Sequence, residues 1–116
     1  MQTRERAPRF NALDLSIDAI RALRPVVASI RRCDRDLEDQ LRRALTSVAL
    51  NLAEGNRSQG GHRVARFSNA AGSTSEARAA LRVAVAWGYV NASEIADGEA
   101  MLDRVAGRLH GLGAVR

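Results

Sequence analysis

The chain contains no lysine: all 18 basic residues are arginine, set against 13 acidic ones, for a net charge of +5. A guanidinium is a planar fork that meets a carboxylate or phosphate through two hydrogen bonds, where an ammonium is a compact point charge. The missing lysine leaves two readings open, an arginine-favouring genome and selection for phosphate contact. Cys33 is the single cysteine, which excludes an intramolecular disulfide and fits a reducing, cytoplasmic setting. Two prolines are too few for a chain full of turns, and 3% aromatic residues argue against a sandwich core of large side chains. No apolar run reaches 18 residues, so no membrane span is expected, and no signal-peptide core follows Met1.

Chemistry-bearing motifs are also missing. His62 and His110 are far apart, and Cys33 has no partner at ligand spacing, so no metal site is assigned. No Glu-x-x-His is present for a di-metal bundle, and Gly60-Gly61-His62 lacks the phosphate-loop pattern. No nucleophile motif marks a serine. No catalytic residue and no cofactor is assigned, and the chain is not expected to be an enzyme.

What the sequence has is helical periodicity, with 46% apolar residues, many of them alanine. Residues 1–9 are polar and are expected to form a flexible tail; residues 10–116 are expected to form one domain. A first helix is expected over about Ala12–Arg32, with Leu13, Ile17, Ile20, Leu23, Val27 and Ile30 on one face and a kink or break near Arg24 because of Pro25. A second runs from about Asp34 to Glu54, capped by Asp34 or Asp36, with its stripe at Leu37, Leu41, Ala44/Leu45, Val48 and Leu52. Gly55 to Gly61 reads as a short loop. A third helix spans about His62–Gly88 on the stripe Phe67, Ala70/Ala71, Thr74, Ala77, Leu81 and Val85. A fourth follows a turn at Gly88–Asn91, capped by Asn91 or Ser93, with Ile95, Leu102, Val105, Ala106, Leu109 and Leu112 as its stripe. Short connections between four helices imply an all-α, antiparallel up-down-up-down bundle.

The third helix carries a second face. Ala65, Gly72, Ala79 and Ala86 repeat every seven residues, with Val83 and Trp87 beside them. A helix with two apolar faces buries both, so these six residues are the expected oligomer interface. Charge is also uneven. Residues 1–32 hold seven arginines against three acids, and residues 56–89 hold five against one. Such a field, multiplied by an oligomer, suits a phosphate-bearing partner. The candidate contacts are Arg42, Arg43, Arg57, Arg63 and Arg66, then Arg78 and Arg82. The scarcity of aromatics argues against sequence-specific single-strand readout.

The stretch QLRRALTSVALNLAEGNRS, Gln40 to Ser58, resembles the four-helix-bundle proteins called 23S rRNA intervening-sequence proteins, through Gln40, Arg42, Arg43, Ala44, Ser47, Asn51, Ala53, Glu54 and Gly55. ARFSNAAGSTSEARAAL continues it through Arg66, Phe67, Ala71, Gly72, Ser73 and Glu76, and Gly88-Tyr89-Val90 matches the segment before helix four. Ala49 stands where the family often has proline, no tryptophan lies near Leu15, and Pro25 is unusual. The resemblance implies a left-handed four-helix bundle in a homopentameric ring, without enzymatic activity. It also implies kinship with a bundle that accompanies the reverse transcriptase of diversity-generating retroelements and binds it and nucleic acid.

On an ideal helix Ser47, Asn51, Glu54 and Gly55 share a flank at the end of helix two. They are expected to form a structural clasp, with Glu54 paired to Arg57 or Arg66, so that Glu54→Ala costs more stability than Glu99→Ala. The functional expectation is an oligomeric scaffold that binds structured RNA, DNA or a reverse-transcriptase-like protein through arginine. The alternative is a protein-interaction ring with no nucleic-acid ligand.

Overall fold

The structure is a computed structural model that describes residues 11–112. The expected tail, residues 1–9, lies outside the described residues. Four helices follow one another: α1 (Ala12–Cys33), α2 (Arg35–Asn56), α3 (Gly60–Trp87) and α4 (Ala92–Gly111). Among the described residues there is no strand. α2 packs on α1 and α3, and α4 packs on α3 and α1, so the helices form a square all-α bundle. The α2–α3 contact is the broadest.

Local chemistry sets the helix ends. Asn11 opens α1 by accepting from the Asp14 N–H at 2.8 Å. Asp34 does two jobs. Its N–H closes α1 on the Ile30 carbonyl, and its carboxylate caps α2 by accepting from Leu37 N–H at 2.9 Å. One residue therefore turns the chain through the first corner. Gly88, at φ 80, ends α3 in the left-handed region that favours glycine, and Tyr89 N–H bonds back to the Ala84 carbonyl. Asn91 and Glu94 form a reciprocal capping box at the start of α4.

The core stripe of α2 is as the spacing predicts, with Leu37, Leu41, Ala44, Leu45, Val48 and Leu52 all buried. α3 buries Phe67, Ala70, Thr74, Ala77 and Leu81. The face of α1 is rotated from the expected one. Ala12, Leu15, Ser16, Ala19, Leu23, Val26 and Ile30 are buried, while Leu13, Ile17, Ile20 and Val27 sit half-buried on its flank. The reason is close approach. Gly98 of α4 lies against Leu23, where an added Cβ would overlap the leucine side chain. Small residues such as Ala19 and Gly98 therefore occupy the tight crossing, and larger side chains move to its edges. Leu112, expected in the α4 stripe, is 51% exposed.

Of the kink or break expected at Pro25, the break is corrected, because α1 runs unbroken through it. Pro25 and Arg21 are both exposed. The missing N–H leaves the Arg21 carbonyl without its helix partner on the exposed side of α1, where the loss costs least. α2 also runs further than expected. Gly55 is inside the helix and buried, and the chain turns only after Asn56, with Arg57 as the C-terminal cap.

Candidate nucleic-acid interface

The seven candidate arginines do not form one patch. Arg42 and Arg57 are 15 residues apart on α2, about 22 Å at 1.5 Å per residue. Arg42 leans on two carboxylates, Glu38 at 3.0 Å and Asp39 at 3.5 Å, and Arg43 reaches Asp39 at 3.4 Å. Arg43 points to the α2–α3 side, where it shares a shallow cleft with Gln40, Ser47, Ser73 and Glu76. Arg57 and Arg66 are exposed at the α2–α3 corner. Arg63 is engaged there as a packing group: it lies 4.8 Å from the Phe67 ring centroid and donates to the Gly55 carbonyl at 3.3 Å. Arg78 and Arg82 belong to another seam, tying α3 to α4 through Asp103 at 3.3 Å and Glu99 at 3.5 Å.

The structure gathers a different set. Arg21, Arg24, Arg31 and Arg32 on α1 face Arg35 and Arg42 on α2 across an open groove of about 1240 Å³, floored by Ile20, Val27 and Leu45. Its one carboxylate is Glu38, largely buried and held by Arg42. Six arginines line it against one glutamate; Arg21 is paired with Asp18 at 2.9 Å, and Arg42 with Glu38 and Asp39, which leaves Arg24, Arg31, Arg32 and Arg35 as the groove's excess charge. Among the described residues no carboxylate lies within ion-pair distance of Arg24, Arg31, Arg32 or Arg35; Arg32 donates only to Ser29 Oγ at 3.1 Å. Four guanidiniums thus have no ion-pair partner among the described residues, and like charges crowded on one face favour an anion from outside. Of the expected contacts only Arg42 takes part. The sequence signal was the i, i+3, i+10 spacing of Arg21, Arg24 and Arg31. A break at Pro25 would have put these residues on two different axes and hidden the stripe.

The expected clasp is present in part. Ser47 Oγ meets Ser73 Oγ at 2.8 Å, and Asn51 Nδ2 donates to the Ser47 carbonyl and Oγ, both at 3.0 Å. This polar seam joins α2 to α3. Gly55 completes it by contact, because the Phe67 ring covers the place a Cβ would occupy. Glu54 stands outside: its side chain is 52% exposed and 3.9 Å from Arg57, and it makes no ion pair with Arg66. The expected ion pair of Glu54 with Arg57 is thus present, but it lies at the exposed edge of the seam and not inside a buried clasp.

Ala65, Gly72, Ala79, Val83, Ala86 and Trp87 are all exposed along the outer side of α3. Trp87 stacks on Tyr89, with centroids 6.4 Å apart and planes at 17°. The Tyr89 hydroxyl donates to Asp34 Oδ2 at 3.1 Å, which ties the α3–α4 corner to the α1–α2 corner. Burial first, and then the hydrogen bond and charge of Asp34, push the Tyr89 phenol above its ordinary value. No helix among the described residues is long and apolar enough to cross a membrane.

The model of one protein family, described as 23S rRNA-intervening sequence protein, matches residues 11–111. Among solved structures, the chain is similar to a Bacteroides thetaiotaomicron protein of unknown function from the S23 ribosomal protein family. The TM-score is 0.78 at 15% identity, covering 88% of this chain and 97% of that one, a likeness that establishes the shared fold. No curated protein matches the chain.

Proposed function

The chain belongs to the 23S rRNA-intervening sequence protein family, and from that premise we propose that it is a non-enzymatic oligomeric scaffold that holds structured nucleic acid, RNA foremost, on an arginine surface. The observation that carries this reading is the α1–α2 groove, where six arginines face one glutamate and four of them have no carboxylate within ion-pair distance among the described residues. Guanidinium forks match phosphate oxygens two at a time. Holding each exposed arginine on a phosphate costs about 0.5–1.5 kcal/mol of side-chain entropy, which the charge-assisted hydrogen bonds must exceed.

Self-assembly is the second half of the proposal. Ala65, Gly72, Ala79 and Ala86 give the outer side of α3 a ridge of small side chains, with Val83 42% exposed beside it. Small residues let helices of neighbouring subunits approach closely, and a homopentamer would multiply the groove five times around a ring. A nucleic-acid enzyme such as a reverse transcriptase could be brought to the same ring by a shared nucleic acid.

The test is solution mass by light scattering in about 0.5 M salt, where exposed charge contacts are screened, with absorbance at 260 and 280 nm read across the same peak. A five-subunit mass that retains nucleic acid, or regains added RNA at about 50 mM salt with an affinity linear in salt on a log–log plot, is the expected result. A monomer overturns the assembly. A ring that takes up no RNA at low salt, and co-purifies with a specific protein instead, replaces the scaffold with the protein-only ring.

A further inference from the structure

Resting on the nucleic-acid reading above, we propose that the α1–α2 groove takes the sugar–phosphate backbone of a double-stranded nucleic acid and grips it without reading its bases. The first argument is extent. Arg21 to Arg32 covers about 16 Å of α1 at 1.5 Å per residue. Arg35 and Arg42 form a second rail on the facing helix, at the usual helix separation of about 8–10 Å. A lone phosphate or a single nucleotide would meet one or two of these guanidiniums and leave the others repelling each other. A duplex carries one charge per about 1.7 Å of axis, or roughly ten phosphates along the length of the rail. Two charged rails, about 16 Å long on α1 and about 10 Å on α2 at 1.5 Å per residue, lie side by side as the two strands of such a polyanion do.

The second argument is what the groove lacks. No aromatic ring lines it, and apart from the arginines its polar side chains are Glu38 and Thr46. Single-strand binders gain from stacking each base on an aromatic face, and no such platform exists there. Of the aromatics in the described residues, Phe67 is buried in the core, and Trp87 and Tyr89 stack on each other. Asparagine and glutamine, which pair with adenine edges, are also absent from the lining, and the deep, narrow major groove of an RNA duplex keeps arginine from the guanine edges it would otherwise read. A duplex satisfies its own bases by pairing and stacking, and presents what this groove can hold. Recognition by charge and spacing alone carries no sequence preference.

The experiment is fluorescence anisotropy on the full chain with a blunt RNA duplex of about 20 base pairs, longer than the rail, its two separate strands, and a duplex of shuffled sequence. The duplex is expected to bind about tenfold tighter than either strand, a difference of about 1.4 kcal/mol, and the shuffled duplex to bind equally well. The triple variant Arg24→Gln/Arg31→Gln/Arg35→Gln removes three exposed, unpaired charges. It is expected to keep its helical circular dichroism and melting temperature, lose most of the affinity, and show a log–log salt slope shallower by about three. Single Arg24→Gln should fall between it and wild type. Strands that bind as well as the duplex overturn the double-stranded class and leave the nucleic-acid reading standing. A triple variant with wild-type affinity removes the groove as the site. No binding of any probe at about 50 mM salt overturns both readings.

Discussion

Gly55→Ala tests how α2 is locked to α3. In most helices alanine is the better residue, by about 1 kcal/mol over glycine. Here the new methyl would overlap the Phe67 ring, which is buried and covered by the Arg63 guanidinium. Phe67 has little freedom to yield, so the overpacking cost of about 1–3 kcal/mol should exceed the propensity gain. We expect a net loss of up to about 2 kcal/mol, and a melting temperature lower by about 4–8 °C for each kcal/mol lost in a domain near 100 residues. Gly107→Ala is the matched control, because nothing lies within 4 Å of a Cβ at that exposed position in α4. It should raise stability by up to about 1 kcal/mol. In a Phe67→Leu background the cost of Gly55→Ala should shrink, giving a coupling energy that a double-mutant cycle measures. If Gly55→Ala melts at or above wild type, the ring does not fix the corner, and the account of Gly55 is refuted.

Two further outcomes follow from the corrected clasp and the tied corners. Glu54 is half-exposed at a helix C-terminus, where a negative charge opposes the dipole. Glu54→Ala should therefore be within about 0.5 kcal/mol of wild type by urea midpoint, and Glu99→Ala, which frees Arg82 on α3, should cost at least as much. Tyr89 has a raised phenol pKa, so its folded-state contribution is whole below the ordinary phenol range and is lost as pH rises through the raised value. In a Cys33→Ser background, melting temperature should fall more steeply above about pH 10 for the parent than for Tyr89→Phe. The absence of lysine keeps that window clear of other side-chain titrations. Parallel curves would show that the Asp34 contact does not hold the phenol.

The sequence revealed whatever depends on near neighbours. The helix number, the Asp34 and Asn91 caps and the α2 stripe all rest on residues within one or two turns of each other. What escaped it depends on partners distant in the chain. Periodicity counts large apolar side chains, so it chose Leu13, Ile17, Ile20 and Val27 for the α1 core. The α1–α4 crossing, tightened by Gly98, buries Ala12, Leu15, Ala19 and Val26 instead. Arg78 and Arg82 read as free cations until α4 brings Asp103 and Glu99 beside them. The groove is the largest omission, because its two rails come from different helices and one of them runs through a proline.

The square arrangement of the bundle also has a kinetic consequence. Three of its four seams join helices consecutive in the chain, and the corners between them are short. The fourth, α1 against α4, sets Leu23 on Gly98 some 75 residues away. Closing the α2–α3 hairpin costs little loop entropy and gains the broadest contact, whereas the α1–α4 seam needs the whole chain in place first. On these grounds the hairpin is expected to form first and the outer seam last, with high φ-values at Ser47 and low ones at Gly98. Loosening the Ser47–Ser73 seam would slow folding, and crowding Gly98 would speed unfolding while leaving the folding rate almost untouched. The lifetime of the native bundle is accordingly set at the join between its first and last helices, away from the conspicuous motif that ends α2.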